Sequence, residues 1–341
     1  VAKPKLADVA RVAGVSPTTV SRVLNSRGYL SQETREKVYE AMREINYRPN
    51  AIARSLQEQK THLIGLVFPT VSNPFYGELA YRIESKLADA GYKVILCNSE
   101  DHPELEARYL DMLMGNQVDG LVTGAHSDVL ALAPHLEAPL VTIDRINGGG
   151  YPNIRCDNFT GALQATESLI ATGVRRIVHF TSTVSEQNLR QQGYSKAMSA
   201  AGLEPEIVEL GFRSSDGEHR QTINNFLDSE PTVEAVFASN DGYAAMALQW
   251  AYVRGKKVPE DFSVIGFDGT PAVRSLLPQL ATVVQPFELM AERTVQLLLA
   301  AIDGAGSKRT DSDPSEDSPA DHNLPVELYL GQTVKAQSNA E

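Results

Sequence analysis

Apolar residues recur at helical spacing through the first 60 positions and in short strand-like runs after them. Leu6, Val9, Ala10 and Ala13 fall on one helical face, and Val20, Val23 and Leu24 on a second. Between them Gly14 supplies the backbone freedom for a tight turn. Ser16 is placed to cap the second helix, with Pro17 at its first helical position. Residues 6–24 therefore predict helix, turn and helix. A third helix is predicted from Ser31, a good N-cap with Glu33 in the first turn, to about Ile45. Its apolar stripe is Val38, Ala41, Met42 and Ile45. Residues 1–46 thus form a three-helix head, small but within the size range that folds alone.

From Leu63 the period changes. Strands are expected at 63–68, 93–97, 120–123, 140–143 and 154–156, with helices at 75–90 and 104–116 between the first of them. The alternation resumes with strands at 176–180, 207–210, 235–238 and 263–266 and helices at 188–201, 217–228 and 241–254. Alternating strand and helix imply parallel sheets covered by helices, and there are enough units for two. The body, residues 61–341, is therefore read as two doubly wound α/β subdomains. Within it, residues 304–323 are rich in Ser, Asp, Pro and Gly and read as a disordered loop before a last strand at 325–330.

Residues 47–60 join head to body. Asn50 can cap a two-turn helix ending at Leu56, with Ile52, Ala53 and Leu56 on one side. So short a helix does not hold itself together in water. Two readings stay open: a hinge helix that folds on contact, with Leu56 wedged between base steps of a minor groove, or a plain linker with Leu56 packed on the body.

Charge sharpens the division. The chain carries a formal −12. Its first 60 residues hold eleven Lys and Arg against six Asp and Glu, a balance of +5. A small basic head on an acidic body fits a protein whose head alone meets phosphate. The weaker alternative is an amphipathic head that binds an acidic protein. Two cysteines, Cys97 and Cys156, lie in apolar surroundings and read as reduced core thiols, not as a disulfide or metal site. No apolar run is long enough to span a membrane, and the start lacks a secretory apolar stretch, so a cytoplasmic protein is expected. No GxGxxG turn or Walker A motif supports a nucleotide cofactor.

Candidate chemistry falls in two places. On the second helix Thr18, Thr19, Ser21, Arg22 and Asn25 face outward, all hydrogen-bonding groups, in the layout of a DNA-reading helix-turn-helix. In the body, ligands of open α/β sheets sit at strand carboxyl ends. There stand Asn73 and Phe75, Asp144 and Arg145, Asn240 and Asp241, Asp268, and Gln285, with Arg190 opening a helix. Carboxylates and amides grip sugar hydroxyls, an arginine donates to sugar oxygens, and an aromatic covers an apolar sugar face. Each residue alone is as easily a helix cap or a surface charge; Asn240 and Asp241 can cap the helix that follows.

The stretches DVARVAGVSPTTVSRVLN and TREKVYEAMREINYRPNAIARSL resemble the head and hinge of the LacI/GalR family of bacterial repressors. SNPFYGEL, VTIDR, the Arg190–Tyr194 segment, SNDGYAAMAL, VIGFDG and TVVQPF resemble its sugar-binding body, which is similar to periplasmic sugar-binding proteins. The resemblance implies base reading by Thr18, Arg22 and their neighbours, Pro17 offering no donor. It implies phosphate or flanking contacts from Ser16, Thr19, Ser21, Asn25, Tyr29, Ser31 and Thr34, and a hinge of Asn50, Ala53 and Leu56. It also implies an effector pocket at the strand-end residues named above. Within the family the body looks most like sucrose-operon repressors, with ribose-type repressors and the global catabolite regulator as rivals.

The expectation is a homodimeric repressor bound to double-stranded operator DNA and controlled by a sugar or sugar phosphate, with no other cofactor and no metal. Two departures from the family pattern stand at the edge of the body: the 304–323 insertion, and Gly331-Gln332-Thr333 where an Arg-Gly-Ser ending is usual. Three rivals remain: a transport receptor, a sugar-processing enzyme using Asp241 and Asp268 as an acid/base pair, and a regulator driven by a partner phosphocarrier protein. A missing nucleophile elbow and metal cluster count against the enzyme.

Overall fold

A computed structural model describes residues 4–24, 28–48, 60–125, 138–145, 150–304 and 321–335. The chain divides into two compact units, Val1–Thr61 and His62–Glu341.

The first unit holds α1 (Leu6–Ala13), α2 (Pro17–Leu24) and α3 (Gln32–Glu44). Gly14 ends α1 in the left-handed region at φ 68°, and its N–H closes back on the Ala10 carbonyl. Thr19 N donates to Ser16 Oγ at 3.1 Å, and Ser31 Oγ accepts from Thr34 N, so both expected caps form. Val9, Ala10, Val20, Val23, Val38 and Ala41 are buried together as the core of the three helices. The 47–60 hinge expectation falls, for residues 49–59, outside the described residues.

The second unit contains two sheets of six strands. The first runs β11-β5-β4-β3-β1-β2, all parallel: β1 (Leu63–Phe68), β2 (Lys93–Asn98), β3 (Gly120–Thr123), β4 (Leu140–Ile143), β5 (Asn153–Cys156) and β11 (Asp321–Leu324). The second runs β12-β10-β9-β8-β6-β7: β6 (Ile177–Thr181), β7 (Glu206–Glu209), β8 (Ala235–Ala238), β9 (Ser263–Asp268), β10 (Ala281–Val284) and β12 (Glu327–Tyr329). Only the β10–β12 pair in that sheet is antiparallel. The helices are α4 (Pro74–Asp89), α5 (Pro103–Gly115), α6 (Asn158–Ile170), α7 (Leu189–Ala200), α8 (Asp216–Ser229), α9 (Asp241–Val253), α10 (Pro271–Leu276) and α11 (Phe287–Ile302). Strand order reverses between β1 and β3 and again between β6 and β8, which are the ligand positions of such sheets.

Among the described residues the chain passes between the sheets three times: from β5 into α6, from β10 into α11, and from β11 into β12. The last crossing corrects the sequence reading. Instead of one strand at 325–330 there are two short ones in different sheets, and Asp321, His322 and Asn323 belong to a strand, not to the loop. The polar β11 segment, DHNL, pairs along the sheet edge through its backbone, which leaves no hydropathy signal. Pro325, which has no N–H, stands between the two strands.

Helix α6 is not among the helices read from the sequence. Its buried face is largely small or polar (Gly161, Ala162, Ala165, Thr166). Cys97 and Cys156 are free and buried, and burial pushes both thiols up. No helix among the described residues is long and apolar enough to cross a membrane.

Candidate functional site

In the head, burying Val20 and Val23 turns the opposite side of α2 to solvent. Ser16, Pro17, Thr18 and Arg22 are exposed there, with Thr19 and Ser21 half-buried. Tyr29 is 98% exposed and Ser31 is exposed beside it at the start of α3. Ser16 and Thr19 share a hydroxyl hydrogen bond of 2.9 Å, and Ser31 and Thr34 one of 2.8 Å. Arg22 stands on the exposed side of α2 with its guanidinium near Gly28. Asn25, Asn50, Ala53 and Leu56 lie outside the described residues.

In the body, the geometry of the cleft begins with glycines. A Cβ at Gly193 would collide with the Phe159 carbonyl and Ala162, so Gly193 lets α7 lie directly on α6. Tyr194, on the same face, anchors α7: its hydroxyl donates to the Ile177 carbonyl at 2.6 Å and accepts from Glu206 N at 2.9 Å. One turn earlier, Arg190 is thereby aimed at the strand ends. Its guanidinium carbon lies 3.8 Å from the Phe267 ring centroid. Nη1 donates to the Ser239 carbonyl and, at 3.3 Å, to Asp268 Oδ1, while Nε donates to Asn158 Oδ1 at 2.7 Å.

Asp268 ends β9 with φ 106°, and Asp144 follows β4 with φ 49°. Non-glycine residues in such backbone regions are uncommon and cluster at functional sites. Asp268 also accepts from Gln285 Nε2 at 2.8 Å, whereas Gln285 Oε1, though buried, meets no donor among the described residues. Asp144 Oδ1 accepts from Asn158 Nδ2 at 3.2 Å. Burial pushes the Asp268 carboxyl up; the Arg190 guanidinium opposes this, and the charges of Asp241 and Asp144 add to it. Burial likewise pushes the Tyr76 phenol well up, reinforced by the negative charges of Asp144, Asp101 and Asp268. Tyr76 thus stands among carboxylates from both subdomains.

The structure does not bring every expected residue into this group. Asn73 and Asn240 cap helices, accepting from Phe75 N and Tyr243 N. Phe75 is buried in the first subdomain's core, with its ring 5.7 Å from Phe287. Arg145 is also buried. It donates to the Ala125 carbonyl, lies 3.8 Å from Glu106, and exchanges backbone hydrogen bonds with the Asn153 side chain. Asp241 spends both oxygens inside the second subdomain, on Thr282 Oγ1 at 2.6 Å and Gly269 N at 2.8 Å. A Cβ at Gly266 would strike Asp241 Oδ1, so the glycine of VIGFDG makes room for that carboxylate. Asp241 and Asp268 therefore have different hydrogen-bond partners.

Three residues of the group went unnamed in the sequence reading. Asn158 bridges Asp144 and Arg190. Tyr76 directly follows Phe75. Phe212, after β7, packs against the first subdomain's core from the other side of the cleft. PFY at the start of α4 is a signal for Tyr76, and Asn158 and Phe212 lie just past the carboxyl ends of β5 and β7, where ligand residues of such sheets sit.

A three-helix head with an exposed polar face on its second helix, and a two-sheet body with a polar group gathered at its strand ends, are the layout of a ligand-controlled transcription regulator. Residues 5–50 match the model of bacterial regulatory proteins of the lacI family, and residues 61–319 that of periplasmic binding proteins and the sugar binding domain of the LacI family. The chain belongs to the LacI family. It is 40% identical to the sucrose operon repressor of Pediococcus pentosaceus, over 97% of this chain and 100% of that one. It is 34% identical to the ribose operon repressor of Halalkalibacterium halodurans, over 98% of both. The Lac repressor dimer bound to operator and the anti-inducer ONPF superposes with a TM-score of 0.84 at 27% identity, covering 98% of this chain and 100% of that one.

Proposed function

We propose that this chain represses a sucrose or related fructoside operon as a cytoplasmic homodimer, and that sugar in the cleft lowers its operator affinity. The observation that carries the sugar reading is the Arg190–Asp268–Gln285 group. It offers a fork donor, a carboxylate acceptor and a buried acceptor without a donor, which is the hydrogen-bonding complement of vicinal hydroxyls. Tyr76 and Phe212 supply apolar faces. Sucrose is preferred over ribose because the sucrose-operon relative shares more of this sequence.

Arg22 and Thr18 read bases, an arginine being the usual reader of guanine, and the exposed hydroxyls around them take phosphates. Asn50, Ala53 and Leu56 are assigned to the hinge. A dimer matches the two-fold symmetry of operators. Tyr81 at 68%, Tyr252 at 86% and Leu276 at 81% exposure are large apolar side chains left in water, and each is a candidate for cover by a second copy.

Fluorescence anisotropy on the DNA upstream of the protein's own gene cluster, at fixed salt, tests this. Sucrose, fructose, fructose 1-phosphate, glucose and ribose are titrated in turn. Release by sucrose is the expected result. Release by ribose alone reassigns the sugar, and tight binding that no sugar alters overturns the sugar-responsive reading.

A further inference from the structure

Two of the three crossings between the sheets carry members of one hydrogen-bonded chain. Asn158 stands on the first, where β5 gives way to α6, and Gln285 on the second, directly after β10. Asn158 Nδ2 donates to Asp144 Oδ1 and, at 3.1 Å, to the Cys156 carbonyl, while its Oδ1 accepts from Arg190 Nε. Arg190 Nη1 reaches Asp268 Oδ1, and the same oxygen accepts from Gln285 Nε2. The amide of Asn158 has one allowed orientation, since only its oxygen can accept from a guanidinium and only its nitrogen can donate to a carboxylate. Capping does not require it: Asp157 caps α6, accepting from Thr160 N at 3.0 Å. Asn158 is nevertheless buried, at 8% exposure.

We propose that Asn158 is a positioning residue that couples the Arg190–Asp268 pair to the crossings, so that what happens at the pair is felt at both connecting segments. The physical basis is competition. Nε is a single donor and is committed to Asn158; Asp268 Oδ1 already serves Arg190 and Gln285. A hydroxyl that takes up Nε or Asp268 Oδ1 must share or displace one of these bonds, and the bonds to Asn158 and to Gln285 each end on a crossing. Two sheets joined by three short segments pivot at those segments, so a hydrogen bond gained or lost there changes the balance between open and closed arrangements. The sugar-linked half of this inference rests on the proposed function; the link between the two crossings does not.

The test uses the full chain with Asn158→Ala and Asn158→Asp. In ligand-free protein, hydrogen exchange is followed over residues 156–160 and 284–288. The alanine variant is expected to exchange faster in both segments, by about tenfold, the scale of a lost hydrogen bond to a charged group. Asn158→Asp, which keeps an acceptor for Arg190, is expected to restore protection at 284–288. In the operator assay, with the sugar-free affinity of each variant as its own reference, the drop in affinity caused by sucrose is expected to shrink by about tenfold or more in Asn158→Ala.

Unchanged exchange at 284–288 in Asn158→Ala overturns the link between the crossings. An intact sucrose response in that variant overturns its role in transmission. A wild-type protein indifferent to sucrose, with the two segments still linked in exchange, counts against the sugar reading alone. If Asn158→Ala does not fold, Asn158→Ser, which retains a small polar group, is read in the same way.

Discussion

The guanidinium of Arg190 lies against the face of Phe267, 3.8 Å from the ring centroid, and from that platform it reaches Asp268, the next residue in the chain. A planar cation on an aromatic face keeps its in-plane N–H groups directed at acceptors. Lysine can provide the charge but neither the stack nor the fork. Arg190→Lys is expected to weaken sucrose binding by about 10- to 100-fold, from loss of charge-assisted hydrogen bonds, with sugar-free operator affinity unchanged. Titration calorimetry and operator anisotropy on the same preparation check both halves.

Asp241 predicts a different phenotype. With both carboxylate oxygens used on Thr282 and Gly269, its removal leaves a buried hydroxyl and a backbone N–H without their acceptor. Asp241→Ala is expected to cost about 2–4 kcal/mol of stability, while the variant that remains folded at low temperature still binds sucrose within a few-fold. Thermal melts alongside calorimetry separate this from a ligand-contacting role.

For the head, Arg22→Ala is expected to weaken operator binding by about 1–3 kcal/mol and to relax sequence preference at one base step. Ser31→Ala should weaken binding to all sequences alike, because its exposed hydroxyl is assigned to phosphate, with a fall in melting temperature from the lost α3 cap. Anisotropy on the operator and on single-base variants, at several salt concentrations, tells the two apart.

His179 carries the pH prediction. It is fully buried in β6, stacked between Tyr194 and Phe237 at 5.1 and 4.8 Å, and its Nδ1–H donates to the Phe237 carbonyl. Burial holds its pKa down at about 4, against 6.5 for a free imidazole. The unfolded chain therefore takes up the proton first. The stabilising contribution is complete above pH 6.5 and is lost as pH falls through about 4. Its size is at most about 3 kcal/mol. Melting temperature measured from pH 7 to 4 should fall less steeply for His179→Phe than for wild type, although that variant starts lower because the Phe237 carbonyl loses its donor.

Leu276 and Tyr252 test the assembly. Leu276→Asp and Tyr252→Asp are expected to shift sedimentation from dimer toward monomer and to weaken operator binding in proportion, with melting temperature little changed at these exposed positions. Wild-type sedimentation in both variants counts against these two positions as dimer contacts.

The alternation of strand and helix, the turn at Gly14, and the caps at Ser16 and Ser31 were legible in the amino-acid sequence, because each depends on residues within a few positions of one another. So was the gathering of Asp268 and Gln285 at strand ends, since a parallel sheet delivers such positions to one edge; Arg190 joins them from a helix. What the sequence could not assign was how neighbouring polar residues divide their work. Asp241 and Asp268 look alike in the chain, yet a Thr282 hydroxyl 41 positions away claims one and a guanidinium on another helix claims the other. Arg145 sits beside Asp144 but is drawn to the Ala125 carbonyl and away from the polar group around Arg190. Asn158 and the DHNL strand lack a hydropathy signal, and their partners are supplied by segments distant in the chain. Local chemistry determined the elements and their order; the tertiary fold decided which donor meets which acceptor, because a buried hydrogen bond is set by the three-dimensional position of both its ends.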